Sequence, residues 1–126
     1  MKFARWVFNV AGLYGLISVA PLYFMEYSIN RQDPPPITHP MFFYGFVGVT
    51  LAWQLLFFVI ARQPAQLAPV IPFAALEKLS FGIGTMVLYS QGRLDHGDLW
   101  FGGIDLVWAV LFQAAWWRLR QLRTPA

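Results

Sequence analysis

No cysteine occurs in this 126-residue chain, and charged residues make up only 12% of it. The first absence excludes disulfide exchange, thiolate nucleophiles and cysteine-held metals, and it leaves the compartment open. The second is about half the charged share usual for a soluble domain. There are only two histidines, His39 and His96, and no phosphate-binding glycine loop, nucleophile elbow or nucleic-acid motif. Glu26, His39, Asp95, His96 and Asp98 are scattered over connecting segments rather than set at helical spacing, so no metal site is expected. The net charge of +3 comes from basic residues at the ends of apolar segments, which argues against a nucleic-acid partner.

What fills the chain instead is apolar, 58% of all residues. Four stretches stand out: Trp6–Phe24, Met41–Ala61, Val70–Ser90 and Leu99–Trp117. Each has the length an α-helix needs to cross a hydrocarbon core of roughly 30 Å at about 1.5 Å per residue. The expected fold is all-α, a single integral-membrane domain over 1–126 with four transmembrane helices. Lys2 and Arg5 before the first stretch, with Ser18-Val19-Ala20 in it, resemble a secretory signal. Pro21 stands directly after that site and the apolar run continues to Phe24, so the first helix is expected to remain uncleaved.

Loop charges set the expected orientation. Lys2, Arg5, Arg62, Arg118, Arg120 and Arg123 fall on one side, and only Arg31 and Arg93 on the other. The cytoplasmic excess of Lys and Arg then places both termini inside, in what reads as a bacterial inner membrane. Short connections make an up-down-up-down bundle with sequential neighbours adjacent the expected topology. Trp6, Trp100, Trp116 and Trp117 fall at headgroup levels, whereas Trp53 and Trp108 lie deeper, as packing residues. Glycines recur in all four stretches and mark close helix approach. Pro21 predicts a bend or an end in the first helix, and Pro34-Pro35-Pro36 a stiff outer loop.

Polar groups inside the stretches carry the functional signal, because each needs a partner in hydrocarbon. Toward the inner side, Asn9, Gln54, Gln113 and the Glu77–Lys78 pair form one layer. Here a network of Glu77, Gln54 and Gln113 is expected, with Lys78 reaching down to the inner headgroups. Asp105 stands apart, about 9 Å from the outer end of its helix, near the depth of Thr85 and Ser18, with Tyr44 and Tyr89 above. Side chains lean toward a helix N-terminus, so Lys78 and Asp105 are expected to diverge. Asp105 is expected to meet Thr85, Tyr89, Ser18, water, or an Arg31 or Arg93 dipping in. Trp108 and Phe112 share its face and would wall an outward-facing pocket.

In size, in topology and in the segments Phe43-Tyr44-Gly45-Phe46-Val47-Gly48-Val49, Leu76-Glu77-Lys78-Leu79-Ser80-Phe81-Gly82 and Ile104–Phe112, the chain resembles small bacterial four-helix membrane proteins of the DoxX-like type. Some members of that group are similar to quinone-linked oxidoreductase subunits. No catalytic motif in this sequence lets that role carry over residue by residue, and whether the chain is an enzyme, or needs a cofactor, is open. The leading expectation is a protein that meets membrane lipids and binds a lipid- or quinone-like small molecule around Asp105. The alternatives are a small dimeric proton-coupled transporter or channel, and an assembly subunit with no ligand.

Overall fold

The structure, a computed structural model, describes residues 1–123. Residues 124–126, the end of the expected domain, and the side chain of Arg123, part of the charge pattern, lie outside the described residues. Five helices follow one another: α1 (Lys2–Val19), α2 (Glu26–Gln32), α3 (Pro40–Arg62), α4 (Ile71–Ser90) and α5 (His96–Arg123). Among the described residues there is no strand. Lys2–Phe24, Pro40–Arg62, Ala68–Ser90 and His96–Leu122 are each long and apolar enough to cross a membrane. Helix is the form such segments take in lipid, since it satisfies every backbone group within one segment.

The helix ends follow from local chemistry. Pro21 has no N–H to give the carbonyl four residues back, and its ring crowds it. The α-helix accordingly stops at Val19, and Ala20–Phe24 continues as a tighter 3-10 turn. Pro40 opens α3, where a missing N–H is no loss, and the His39 carbonyl accepts bonds from Phe42 and Phe43 at 3.0 and 3.2 Å. α4 ends at Ser90, and just beyond it Gly92, with a φ of +72°, lets the Arg93 N–H turn back to the Leu88 carbonyl at 2.9 Å. The segment expected as plain outer loop begins instead with α2. Glu26 in its first turn and Arg31 in its last suit the helix dipole. The loop after it is tied down by the Ile37 N–H on Asn30 Oδ1 at 2.6 Å.

Packing is uneven. α1 lies along α3 and α4 along α5, α1 also meets α5, and α3 and α4 barely touch. The expected adjacency of sequential helices therefore fails between α3 and α4, despite their short connection. Side-chain size explains it. The tight seams are built on glycine: Gly15 of α1 receives the Gln54 side chain, and Gly102 of α5 receives Thr85. The α3 and α4 faces that look toward each other carry Phe46, Trp53, Phe73 and Phe81, which hold the backbones apart.

The core sits at the end of the bundle that holds the start of α1 and the ends of α3 and α5. Phe8 stacks on Phe112 with ring centroids 4.3 Å apart, and Phe57 meets Phe112 edge-on at 5.0 Å. Ile60, Ile71, Ala74, Ala115 and Leu119 close around them. Such ring pairs add about 0.5–1.5 kcal/mol each beyond burial. Asn9, grouped with the inner polar layer by its place along α1, is exposed on the outside of that helix. Trp6, Trp100 and Trp117 are exposed as well, and Trp108 is buried.

A Cβ at position 102 would collide with Thr85 Cβ and Oγ1, whereas one at Gly45 meets nothing within 4 Å. Gly102→Ala should therefore lose about 1–3 kcal/mol through overpacking, read as a lower melting temperature in detergent, and Gly45→Ala should not. Equal melting of both variants would contradict the α4–α5 seam described here.

Candidate functional site

Beyond the aromatic core the two helix pairs separate and enclose a cavity of about 550 Å³. That lies within the range of small-molecule sites, about 300–1,000 Å³. All four long helices line it: Tyr14 and Ser18 from α1, Phe46 and Gln54 from α3, Lys78 and Thr85 from α4, Phe101 and Asp105 from α5. Leu94 and Asp98 border it where the α4–α5 connection passes.

Lys78 dominates its floor. The residue is only 2% exposed, and its Nζ lies 3.8 Å from Asp105 Oδ1 and 3.9 Å from Glu77 Oε2. The ring of Phe57 lies beneath the ammonium, 5.2 Å from centroid to Nζ. This corrects two expectations, that Lys78 reaches the inner headgroups and that it diverges from Asp105. Lys78 belongs to the α4 face buried against the bundle, with Ala74, Ala75, Gly82 and Thr85. The side chain ends inside the bundle beside the two carboxylates, and its flexible four-carbon stem outweighs the backward lean of its Cα–Cβ bond. A buried ammonium without a counter-charge is far costlier than one beside carboxylates. Both distances are ion-pair distances beyond hydrogen-bond length.

Neighbouring polar atoms are left open. The Gln54 amide donates to the Thr50 carbonyl of its own helix at 2.8 Å. Among the described residues, Gln54 Oε1, Glu77 Oε2, Trp108 Nε1 and Gln113 Oε1 are buried with no hydrogen-bond partner. The expected hydrogen-bonded network of Glu77, Gln54 and Gln113 is therefore not formed. Gln54 is held by its own turn, and Gln113 is absent from the cavity lining that holds the other two. Unpartnered buried acceptors are costly and rare in folded proteins. Both Gln54 and Glu77 line the cavity, with the Gln54 side chain set against Gly15 and Glu77 Oε2 3.9 Å from the Lys78 ammonium.

The other expected ligand residues divide. Ser18, Thr85 and Asp105 line the cavity together. Thr85 spends its hydroxyl on the Gly82 carbonyl at 2.7 Å. Tyr89 and Tyr44 do not line it: the Tyr89 hydroxyl pairs with His96 Nδ1 at 2.8 Å, and Tyr44 stacks on Tyr23 at 6.0 Å. Trp108 and Phe112, expected as walls, belong to the aromatic core, because α5 turns that face toward Phe8 and Tyr14 of α1. Arg31 binds the Tyr27 hydroxyl and Arg93 the Gln91 side chain, so neither dips to Asp105. Sequence reasoning missed Tyr14, Thr50 and Phe46. Tyr14 and Thr50 sit four residues before Ser18 and Gln54, on the same helix faces, and that spacing was the available signal.

The site thus offers one ammonium, two carboxylates and unpartnered acceptors under apolar walls. It suits a polar head, rich in hydroxyl, carbonyl or amine groups, carried on a hydrophobic body. Lys78→Met strands both carboxylates and should lose about 3–5 kcal/mol of stability, as breaking a buried ion pair does. Adding Asp105→Asn should return part of that loss, which a double-mutant cycle of unfolding in mixed micelles measures. Strict additivity would contradict the pair. Compared with protein-family models, curated proteins and solved structures, the chain matches none.

Proposed function

We propose that this protein binds a lipid- or quinone-like amphiphile in the central cavity, its polar head against Lys78, Asp105 and Glu77. The carrying observation is a cavity of about 550 Å³, floored by buried charge and walled by the four long helices. Charge in a transmembrane segment is expensive to keep, which supports a functional reading of this site. The cavity lies within one protomer, which favours ligand binding over a dimeric proton-coupled transporter, where a polar path would follow the two-fold interface. It equally disfavours an assembly subunit with no ligand. The same proposal places the protein in a bacterial inner membrane, within the DoxX-like group, as an up-down-up-down bundle with both termini cytoplasmic.

Two experiments test it. The native chain has no cysteine, so single cysteines report topology cleanly. Cysteines at Gln32 and Gln91 should label with an impermeant thiol reagent in intact cells, and one at Gln63 should not; the opposite pattern inverts the orientation. For binding, the protein in phosphatidylcholine nanodiscs is offered decylubiquinone or monooleoylglycerol, and retention is read by native mass spectrometry. The wild type should retain one of them, which names the head chemistry. Ser18→Phe, which fills the cavity from α1, should lower retention by about tenfold, or about 1.4 kcal/mol. A wild type that retains neither probe overturns the reading.

A further inference from the structure

The open side of the bundle has a second concavity. Between α3 and α4 a groove of about 610 Å³ faces outward, walled by Val49, Trp53, Phe73, Leu76 and Gly84. Phe46, Thr50, Glu77, Phe81, Thr85 and Leu88 line both this groove and the central cavity. The two spaces therefore meet along one shared wall. Across it the rings of Phe46 and Phe81 stack at 5.9 Å with planes 25° apart. These rings bridge two helices that otherwise barely pack, so their side chains can turn between rotamers without breaking a helix seam.

We infer that this groove holds the hydrocarbon tail of the amphiphile whose head occupies the central cavity, with Phe46 and Phe81 as the threshold between the two. The inference rests on the binding function proposed above. Its occupant follows from the chemistry of the junction. The groove is mostly apolar, with the hydroxyls of Thr50, Ser80 and Thr85 along it, and Glu77, whose buried Oε2 receives no hydrogen bond, stands where it joins the cavity. An apolar helix of a second copy laid in the groove would bring no hydrogen bond to that oxygen, which has only the longer ion pair with Lys78 at 3.9 Å. A tailed molecule places its polar head beside Glu77, Lys78 and Asp105 and its chain in the groove. The groove also gives such a molecule a route from the bilayer that never takes its tail through water, where each exposed CH₂ costs about 0.8 kcal/mol.

Gly84 makes the groove separately testable. A Cβ there meets nothing within 4 Å, and Gly84 lines the groove but not the cavity. Val49 offers the same from α3, being 63% exposed and likewise confined to the groove. In phosphatidylcholine nanodiscs, retention is measured for decylubiquinone against its tail-less benzoquinone head, and for monooleoylglycerol against glycerol. The wild type should favour the tailed probe of its preferred head chemistry by about tenfold or more. Gly84→Leu and Val49→Phe should each bring that preference toward unity, while Gly45→Leu, at an exposed glycine outside both spaces, should leave it intact. An unchanged preference in both groove variants overturns the inference and leaves the cavity site standing. So does a loss in Gly45→Leu as large as theirs, or a wild type that binds head and tailed probe alike. A wild type that retains no probe removes the binding function and this inference with it.

Discussion

One buried ammonium governs this molecule. Lys78 sits within 4 Å of two carboxylates, Asp105 on the neighbouring helix and Glu77 beside it in sequence. In a segment apolar enough to lie in hydrocarbon, no water is at hand to take over from those partners. The pairing therefore fixes the rotation of α4 against α5, since turning either helix would strand a charge. It also fixes the depth at which the bundle changes character. On one side of Lys78 the helices close over Phe8, Phe57 and Phe112; on the other they part around the cavity.

Side-chain size does the rest. Where glycine faces a neighbour, as at Gly15 and Gly102, the backbones come together and small polar side chains drop into the space. Where phenylalanine faces phenylalanine, as across α3 and α4, they stay apart. In lipid, packing rather than hydrophobic exclusion holds helices together. An aromatic seam can thus remain open without the penalty that an apolar cleft would carry in water. The bundle consequently has two seams closed on glycine, between α1 and α3 and between α4 and α5, and a parted one between α3 and α4. Glu77 lines the parted seam, and Lys78 and Asp105, the other two acidic or basic residues of the four apolar stretches, line the cavity beside it.

The helices were legible because their signal is length and composition, which the bilayer sets directly. The break at Pro21 was legible too, in the missing N–H of proline. Asp105, Ser18 and Thr85, which rise per residue sets at similar heights along their helices, line one cavity. Depth says nothing about rotation. For that reason Trp108 and Phe112 read as cavity walls when they belong to the core. The lean of side chains toward the helix N-terminus also misled: that rule holds for the Cα–Cβ bond, and lysine has enough bonds beyond it to overcome the rule. The parting of α3 and α4 had no signature in loop length. Its cause is the set of aromatic residues facing each other, visible only once helix rotation is known.

A crystal structure of the protein isolated from its own membrane in a mild detergent decides whether the charged cavity holds a ligand. The account predicts non-protein density inside the cavity, with a polar head lying between Lys78, Glu77 and Asp105. A cavity collapsed on itself, with the Lys78 ammonium closed onto Asp105 at hydrogen-bond length and nothing between the helix pairs, would contradict it.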